Sequence, residues 1–256
     1  MVEGPTAKAY ASMIEAEMKG LKVTRLWAKS RRLKVPPSSA EGKLIEGAES
    51  YGKNIVVRID GLGLRLHLMM YGRIYVQGVD EPLVKPASLL RLLLETPTKK
   101  LTAFNAPIVE LARYDEVRSE LLSSLGLDPL RPEWNVVEAA KRLLERPGKV
   151  GVVLLDQGVM AGVGNIIRNE VLFRAGIHPE RPTSQLSFEE ALRIAKEVEE
   201  LSREFYERKA KGLRVGELFK VYNRGGRLCP RCGGVVKMYL QAPINRRTFV
   251  CEGCQR

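Results

Sequence analysis

Four cysteines carry the clearest chemistry in this chain. Cys229, Cys232, Cys251 and Cys254 fall in the last 28 residues as two C-x2-C pairs separated by eighteen residues. That spacing lies in the range of a four-cysteine zinc ribbon. Each pair points two thiolates at one tetrahedral centre, and a hairpin of about twenty residues brings the pairs together. Gly233-Gly234 permit a tight turn after the first pair, and the segments VVKMYL and RTFV read as the two hairpin strands. The alternative is two disulfides, which need an oxidising compartment. The start, MVEGPTAKAY, lacks the basic opening and apolar stretch of a signal peptide. An intracellular chain is therefore expected (cytoplasm or nucleoid if prokaryotic), and with it a metal rather than disulfides. A centre filled by four cysteines keeps no open position, so one zinc ion would hold a fold and not catalyse.

The charge points to a polyanionic partner. The chain has 256 residues with 42 Lys+Arg against 30 Asp+Glu, a net charge of +12. Nucleic acid is the simplest such partner. The excess sits at the ends. Residues 1–40 hold eight basic and three acidic groups, and residues 221–256 hold seven and one. The stretch between them carries 27 basic and 26 acidic groups. If both ends touch one ligand, that ligand lies between them; two solvated basic tails are the plainer alternative. No run of eighteen apolar residues is present, so no membrane partner is expected.

These groups need elements to position them. Tyr10, Met13, Ile14, Met18 and Leu21 form a helical stripe near the start. From residue 21, short extended pieces follow: LKVTRLWA, RRLKVP, KLIEGA, NIVVRI, LRLHLMM and RIYVQ. With Gly, Pro and Ser between them, they suggest a β-sandwich. ASLLRLLLE suits a helix or a buried strand equally. Pro129 and Pro132 mark a break. Beyond it, helices are expected over roughly 133–147, 162–175 and 187–211, with a short helical piece near 150–156. Thr183, Ser184 and Ser187 are candidate caps, and Glu190 completes a capping box with Ser187. The reading is an α+β chain in three parts: residues 1–128 as an N-terminal helix and β-sandwich, 129–220 as a helical domain, and 221–256 as the zinc finger.

VEGP at the start, YGKNIVVRI around Lys53, LHLMMYG around Met70, DQGVMAGVGNIIRNEVLFRAGIHPERP at 156–182 and RRTFVCEGCQR at the end occur in that order. Together they resemble the Fpg/Nei superfamily of DNA glycosylases, formamidopyrimidine-DNA glycosylase and endonuclease VIII. The VEGP start is similar to the valine-starting branch, the third vertebrate Nei-like glycosylase. The resemblance runs along the whole chain and is weak over residues 80–130.

The resemblance implies a bifunctional glycosylase and AP lyase, a helix-two-turn-helix domain, damaged DNA as partner and a monomer. Val2 is small, so removal of Met1 would expose its amine. In the family that amine attacks C1′ of the damaged nucleotide and forms a Schiff base. An α-amine titrates near about 7.7–8.0, against about 10.4 for lysine, so part of it is already nucleophilic at neutral pH. Most family members start with proline; a primary valine amine still gives an imine, with slower or less complete strand cleavage expected. Glu3 is implied as the acid/base. Lys53 corresponds to the β-hairpin lysine that contacts DNA near the lesion. Asn165 opens a helix after Gly162-Val163-Gly164 and corresponds to the phosphate-binding asparagine; Ile167 breaks a GxGxxG pattern, which argues against a dinucleotide site. Arg246, with Arg247 as the competing neighbour, corresponds to the zinc-finger arginine that binds phosphate. His178 reads as structural. Met70 corresponds to the wedge that fills the gap left by the flipped base. The family's other wedge residues, an arginine and a phenylalanine on a later loop, are not visible in LTAFNAPIVELA at 101–112. Single-stranded, bubble or fork substrates are therefore expected to be cleaved at least as well as duplex.

Two rivals stay in view. A non-enzymatic zinc-ribbon protein that binds nucleic acid explains the charge and the cysteines, but not VEGP at the extreme N-terminus. Within the enzyme class, the valine-starting branch also permits unhooking of interstrand cross-links.

Overall fold

The computed structural model describes residues 2–256, so the expected removal of Met1 lies outside the described residues. The chain divides into two compact units, residues 1–124 and 125–256.

The first unit opens with α1 (Gly4–Met18), whose first turn takes Pro5, where the missing N–H costs nothing. Ala7, Ala11, Ile14 and Met18 are buried at helical spacing, with Tyr10 and Met13 of the expected stripe half-buried against the same core and Leu21 beyond the helix end. Nine strands follow: β1 (Arg25–Ala28), β2 (Arg32–Leu33), β3 (Ile45–Tyr51), β4 (Asn54–Ile59), β5 (Leu62–His67), β6 (Arg73–Gly78), β7 (Leu90–Glu95), β8 (Lys99–Phe104) and β9 (Ile108–Arg113). They form a four-stranded sheet in the order β1-β7-β8-β6 and a five-stranded sheet in the order β2-β9-β5-β4-β3. ASLLRLLLE resolves as strand β7, because Leu90, Leu92 and Leu94 alternate inward between β1 and β8. Inward leucines, isoleucines and valines of both sheets share one core with α1. Helix α2 (Tyr114–Ser124), which the sequence reading did not anticipate, buries Val117 and Leu121. It comes close to β5 because Gly63 has no side chain: a Cβ there would sit 3.2 Å from the Tyr114 Cα.

In the second unit, α3 (Val136–Glu145) is capped by Asn135, whose side chain accepts from the Glu138 N–H. It is followed by α4 (Val150–Val153), α5 (Asn165–Ala175) and α6 (Phe188–Ala210). The Ser187–Glu190 capping box is present. Helix α5 is buried almost all round, so it is the central helix, flanked by the amphipathic α6. An antiparallel hairpin, β10 (Lys237–Gln241) and β11 (Arg246–Val250), completes the unit. Among the described residues, no helix is long and apolar enough to cross a membrane.

Candidate functional site

In the first unit, the chain start and one loop meet. Val2 is buried, and its backbone nitrogen donates to the Met69 carbonyl at 3.2 Å. Glu3 is fully buried at the head of α1, where its carbonyl accepts from the N–H groups of Thr6 and Ala7. The loop 68–72 joins β5 to β6 and closes through Gly72, whose N–H donates to the Leu68 carbonyl. A Cβ at Gly72 would lie 2.7 Å from that carbonyl oxygen, so only glycine closes this turn. The tight closure pushes Met69, Met70 and Tyr71 outward, with Tyr71 75% exposed. Met69 takes a positive φ of 49°, which the His67 ring supports by accepting the Met69 N–H on Nδ1 at 3.2 Å.

Lys53 lies near enough for its charge to act on His67. It occupies the two-residue turn between β3 and β4, where Tyr51 pairs with Asn54 and Gly52 takes the positive φ. Asn54 in turn pairs with His67 across the sheet. Burial, then the charges of Lys53 and Arg65, depress the His67 pKa to about 4. The ring is therefore neutral at physiological pH and keeps Nδ1 free to accept. The structure thus links Val2, the Met70 loop and Lys53 through His67, which the sequence reading missed. The only signal was a lone histidine at the end of a strand.

In the second unit, Asn165 opens α5 and is 4% exposed. Its Nδ2 donates to the Arg247 carbonyl at 2.9 Å, while its Oδ1 is buried without a hydrogen-bond partner. Arg246 and Arg247 begin β11 with exposed side chains. The structure therefore brings Asn165 against the hairpin backbone that carries both arginines. Arg168, one turn along α5 and fully buried, reinforces the junction. Its guanidinium donates to the Gly151 and Arg247 carbonyls, to Gln241 Oε1 at 2.6 Å and to Thr248 Oγ1 at 2.8 Å. Glu170 does the same for the segment entering the finger. Its carboxylate accepts from the N–H groups of Lys220, Val221 and Tyr222, while burial pushes its pKa up. Neither role was read from the sequence, although a charged pair inside the apolar run NIIRNEVLF was its trace. His178 accepts the Glu180 N–H through Nδ1, and its backbone N–H donates to the carbonyl of Arg256 at the far end of the chain, contacts that fit a structural part.

Arg168 gives a direct test of this junction. Arg168→Met removes the donor from buried acceptors, each of which then costs about 1–3 kcal/mol unless it finds water. The melting temperature should fall by several degrees, and amide exchange across β11 should speed up. Unchanged exchange in β11 would show that Arg168 does not hold the hairpin.

The four cysteines converge. Their sulfurs all lie within 4.8 Å of one another, with Cys229–Cys254 at 3.8 Å and Cys232–Cys251 at 3.4 Å. A tetrahedron with Zn–S bonds of about 2.3 Å has edges of about 3.8 Å, so the donor set and spacing fit one structural zinc ion. These separations are far longer than a disulfide bond of about 2.05 Å, and all four cysteines are free. Gly234 and Gly253 leave room at the cluster, since a Cβ at either would come within 3.4 Å of Cys232 Sγ.

Comparison with known proteins agrees with this geometry. Residues 1–107 match the formamidopyrimidine-DNA glycosylase N-terminal domain, and residues 125–216 match the formamidopyrimidine-DNA glycosylase H2TH domain. Endonuclease 8 of Shigella flexneri is 30% identical over 268 residues, covering 100% of both chains. Human endonuclease 8-like 3 is 32% identical over 217 residues, covering 84% of this chain and 35% of that protein. Among solved structures, Lactococcus lactis formamidopyrimidine-DNA glycosylase bound non-covalently to DNA containing an AP site has a TM-score of 0.87 at 25% identity, covering 99% of each chain. With 30% identity to an endonuclease 8 along its full length, two matched domains and a fitting zinc centre, the chain belongs to the formamidopyrimidine-DNA glycosylase/endonuclease 8 family of DNA repair glycosylases.

Proposed function

We propose that this chain is a bifunctional DNA glycosylase and AP lyase that works through the Val2 amine on oxidised bases in DNA. The observation that carries the reading is the position of Val2. Its nitrogen meets the Met69 carbonyl in a loop that presents Met69, Met70 and Tyr71 outward, beside the fully buried Glu3. The amine, once freed of Met1, adds its lone pair to C1′. The glycosidic bond breaks, and the base leaves with the bonding pair and a proton. Glu3 delivers a proton to the ring oxygen as the sugar opens, which leaves an imine between Val2 and C1′. Loss of a C2′ proton then expels the 3′ phosphate. Lys53 in the first unit, and Asn165 and Arg246 in the second with Arg247 beside it, are assigned to DNA phosphates. Such contacts offset the few kcal/mol that eversion costs. Met70 is assigned to the gap left in the stack.

Borohydride trapping is the test. Reduction of the imine should leave the protein covalently joined to abasic or oxidised-pyrimidine DNA. A tight complex with no adduct on any lesion would instead indicate a binding protein without catalysis.

The loop after β8 supports a preference for unpaired DNA. It offers Asn105, Ala106 and Pro107, with neither arginine nor aromatic ring to hold an orphaned base. Single-stranded, bubble or fork substrates should be cleaved at least as fast as duplex. A duplex rate roughly tenfold higher, about 1.4 kcal/mol in barrier, would overturn this preference.

A further inference from the structure

Helix α2 does more than bury Val117 and Leu121. In register, Glu49, Val56, Arg65 and Glu110 form one row across β3, β4, β5 and β9. Directly opposed residues share a face, and Ile55, Val57, Leu64 and Leu66, one step away, belong to the core shared with α1. The row therefore lies on the outer face of the sheet, which α2 covers at Gly63. Two polar chains cross that face from α2 and end on the two residues that flank the Gly52-Lys53 turn. On one side, Glu120 of α2 accepts from Arg65 Nη1 at 2.9 Å, and Glu110 accepts from the same nitrogen at 3.2 Å. Arg65 Nε donates to Asn54 Oδ1 at 3.0 Å, and Asn54 Nδ2 donates to the Tyr51 carbonyl across the turn at 3.0 Å. On the other side, the Tyr114 hydroxyl at the head of α2 donates to Glu49 Oε1 at 2.5 Å, and the Tyr51 hydroxyl donates to Glu49 Oε2 at 2.9 Å.

Stability alone does not account for this arrangement. Asn54 and Glu110 are buried, and the Arg65 side chain is only 13% exposed. Buried ion pairs contribute little net stability, and apolar side chains of similar volume would dock α2 as well or better. What polar groups add is direction, because a hydrogen bond constrains the angle as well as the distance of its partners. The need for direction is local. The tip of a two-residue turn projects beyond the sheet, and Gly52, at a positive φ of 55°, gives it extra freedom. Such tips open at little cost when nothing ties them down. Here both bases of the tip are tied: Asn54 through its side chain, and Tyr51 through its carbonyl and its hydroxyl. Lys53 therefore leaves a fixed backbone.

Given the proposed role of Lys53 at a DNA phosphate, on which this step rests, we infer that Asn54, Arg65 and Tyr114 are positioning residues that hold the turn from α2, so that Lys53 meets DNA in one geometry. Without them Lys53 keeps its charge and loses its aim. A misplacement of about 1 Å is enough to slow a reaction by up to about 10²-fold.

The test measures excision under single turnover, beside the affinity for a tetrahydrofuran abasic analogue. Asn54→Ala should slow excision about tenfold and weaken binding less than about twofold, because the charge of Lys53 stays in place. Lys53→Ala, which removes that charge, should reduce both. In the Lys53→Ala background, Asn54→Ala should slow excision no further, since residues that act through one another are not additive. Tyr114→Phe keeps the ring and removes one hydroxyl. It should slow excision a few-fold, and this effect too should vanish once Lys53 is gone. Rates are taken well below the melting temperature of every variant, and if Asn54→Ala does not fold, Tyr114→Phe decides by the same comparison. Slowing of equal size with and without Lys53 would overturn the inference, since it would mark a general loosening of the unit. Wild-type rates in both Asn54→Ala and Tyr114→Phe would overturn it by showing that the turn holds itself. A Lys53→Ala chain with the wild-type rate and affinity is a different result: it removes the Lys53 reading, and the positioning with it.

Discussion

Glu3→Gln should abolish base excision while leaving DNA binding intact. Glu3 is fully buried immediately before α1, and its backbone carbonyl, not its side chain, receives the first helical N–H groups. Glutamine keeps the size and the backbone, so the helix start should survive. What it loses is a proton to give. Positioned acid/base groups contribute about 10²–10⁴-fold, and the single-turnover rate on an oxidised base should fall by that order. The affinity for a tetrahydrofuran analogue, which needs no proton, should hold. A retained N-terminal extension should remove the trapped adduct altogether, because the lone pair of a peptide nitrogen is delocalised into its carbonyl and does not add to C1′. If Glu3→Gln excises bases at the wild-type rate, Glu3 is not the proton donor.

Legibility in the sequence followed the range of the forces involved. The zinc centre was readable because its ligands come as two local turns with a fixed separation. The Ser187–Glu190 box and the α1 stripe were readable because they repeat over three or four residues. Strand β7 was ambiguous because Leu89, Leu90, Leu92, Leu93 and Leu94 show no clear period until neighbours on both sides bury alternate residues. Helix α2 was missed because Val117 and Leu121 alone mark its buried face. Residues that hold the site in shape were the least visible. Arg168 finds Gln241 73 residues away and Thr248 80 residues away, and no local pattern predicts such partners. His67 matters through one ring nitrogen and a depressed pKa, and both depend on what the fold places around it. The finger was read as a separate segment from residue 221. In the structure it shares one compact unit with the helices, joined to α5 by Arg168 and Glu170.

Removal of zinc should therefore reach beyond the finger. The hairpin has a small core of its own: Val221, Cys229, Val236, Phe249 and Cys251, with Phe173 contributed by α5. So little apolar surface does not fold a loop-rich segment alone, and zinc contributes on the order of 10–16 kcal/mol in isolated fingers. Without the ion, the thiolates at 3.4–3.8 Å must repel or take up protons. Once β11 detaches, Asn165 loses the Arg247 carbonyl and the buried Arg168 loses Gln241 and Thr248. A buried guanidinium that loses those acceptors inside α5 is costly, so the loss propagates from the finger into the helical core. Chelation should release one zinc ion per chain and lower the melting temperature of the second unit's transition. Lesion-DNA binding should fall at least as far as it does on removing Arg246 and Arg247 together. Re-addition of zinc should restore both, and Cys251→Ser should reproduce the loss without chelator. The first unit, whose core shares no residue with the finger, should keep its own unfolding transition. A chelated chain that retains full affinity and an unchanged melting profile would show that the hairpin stands on its own packing.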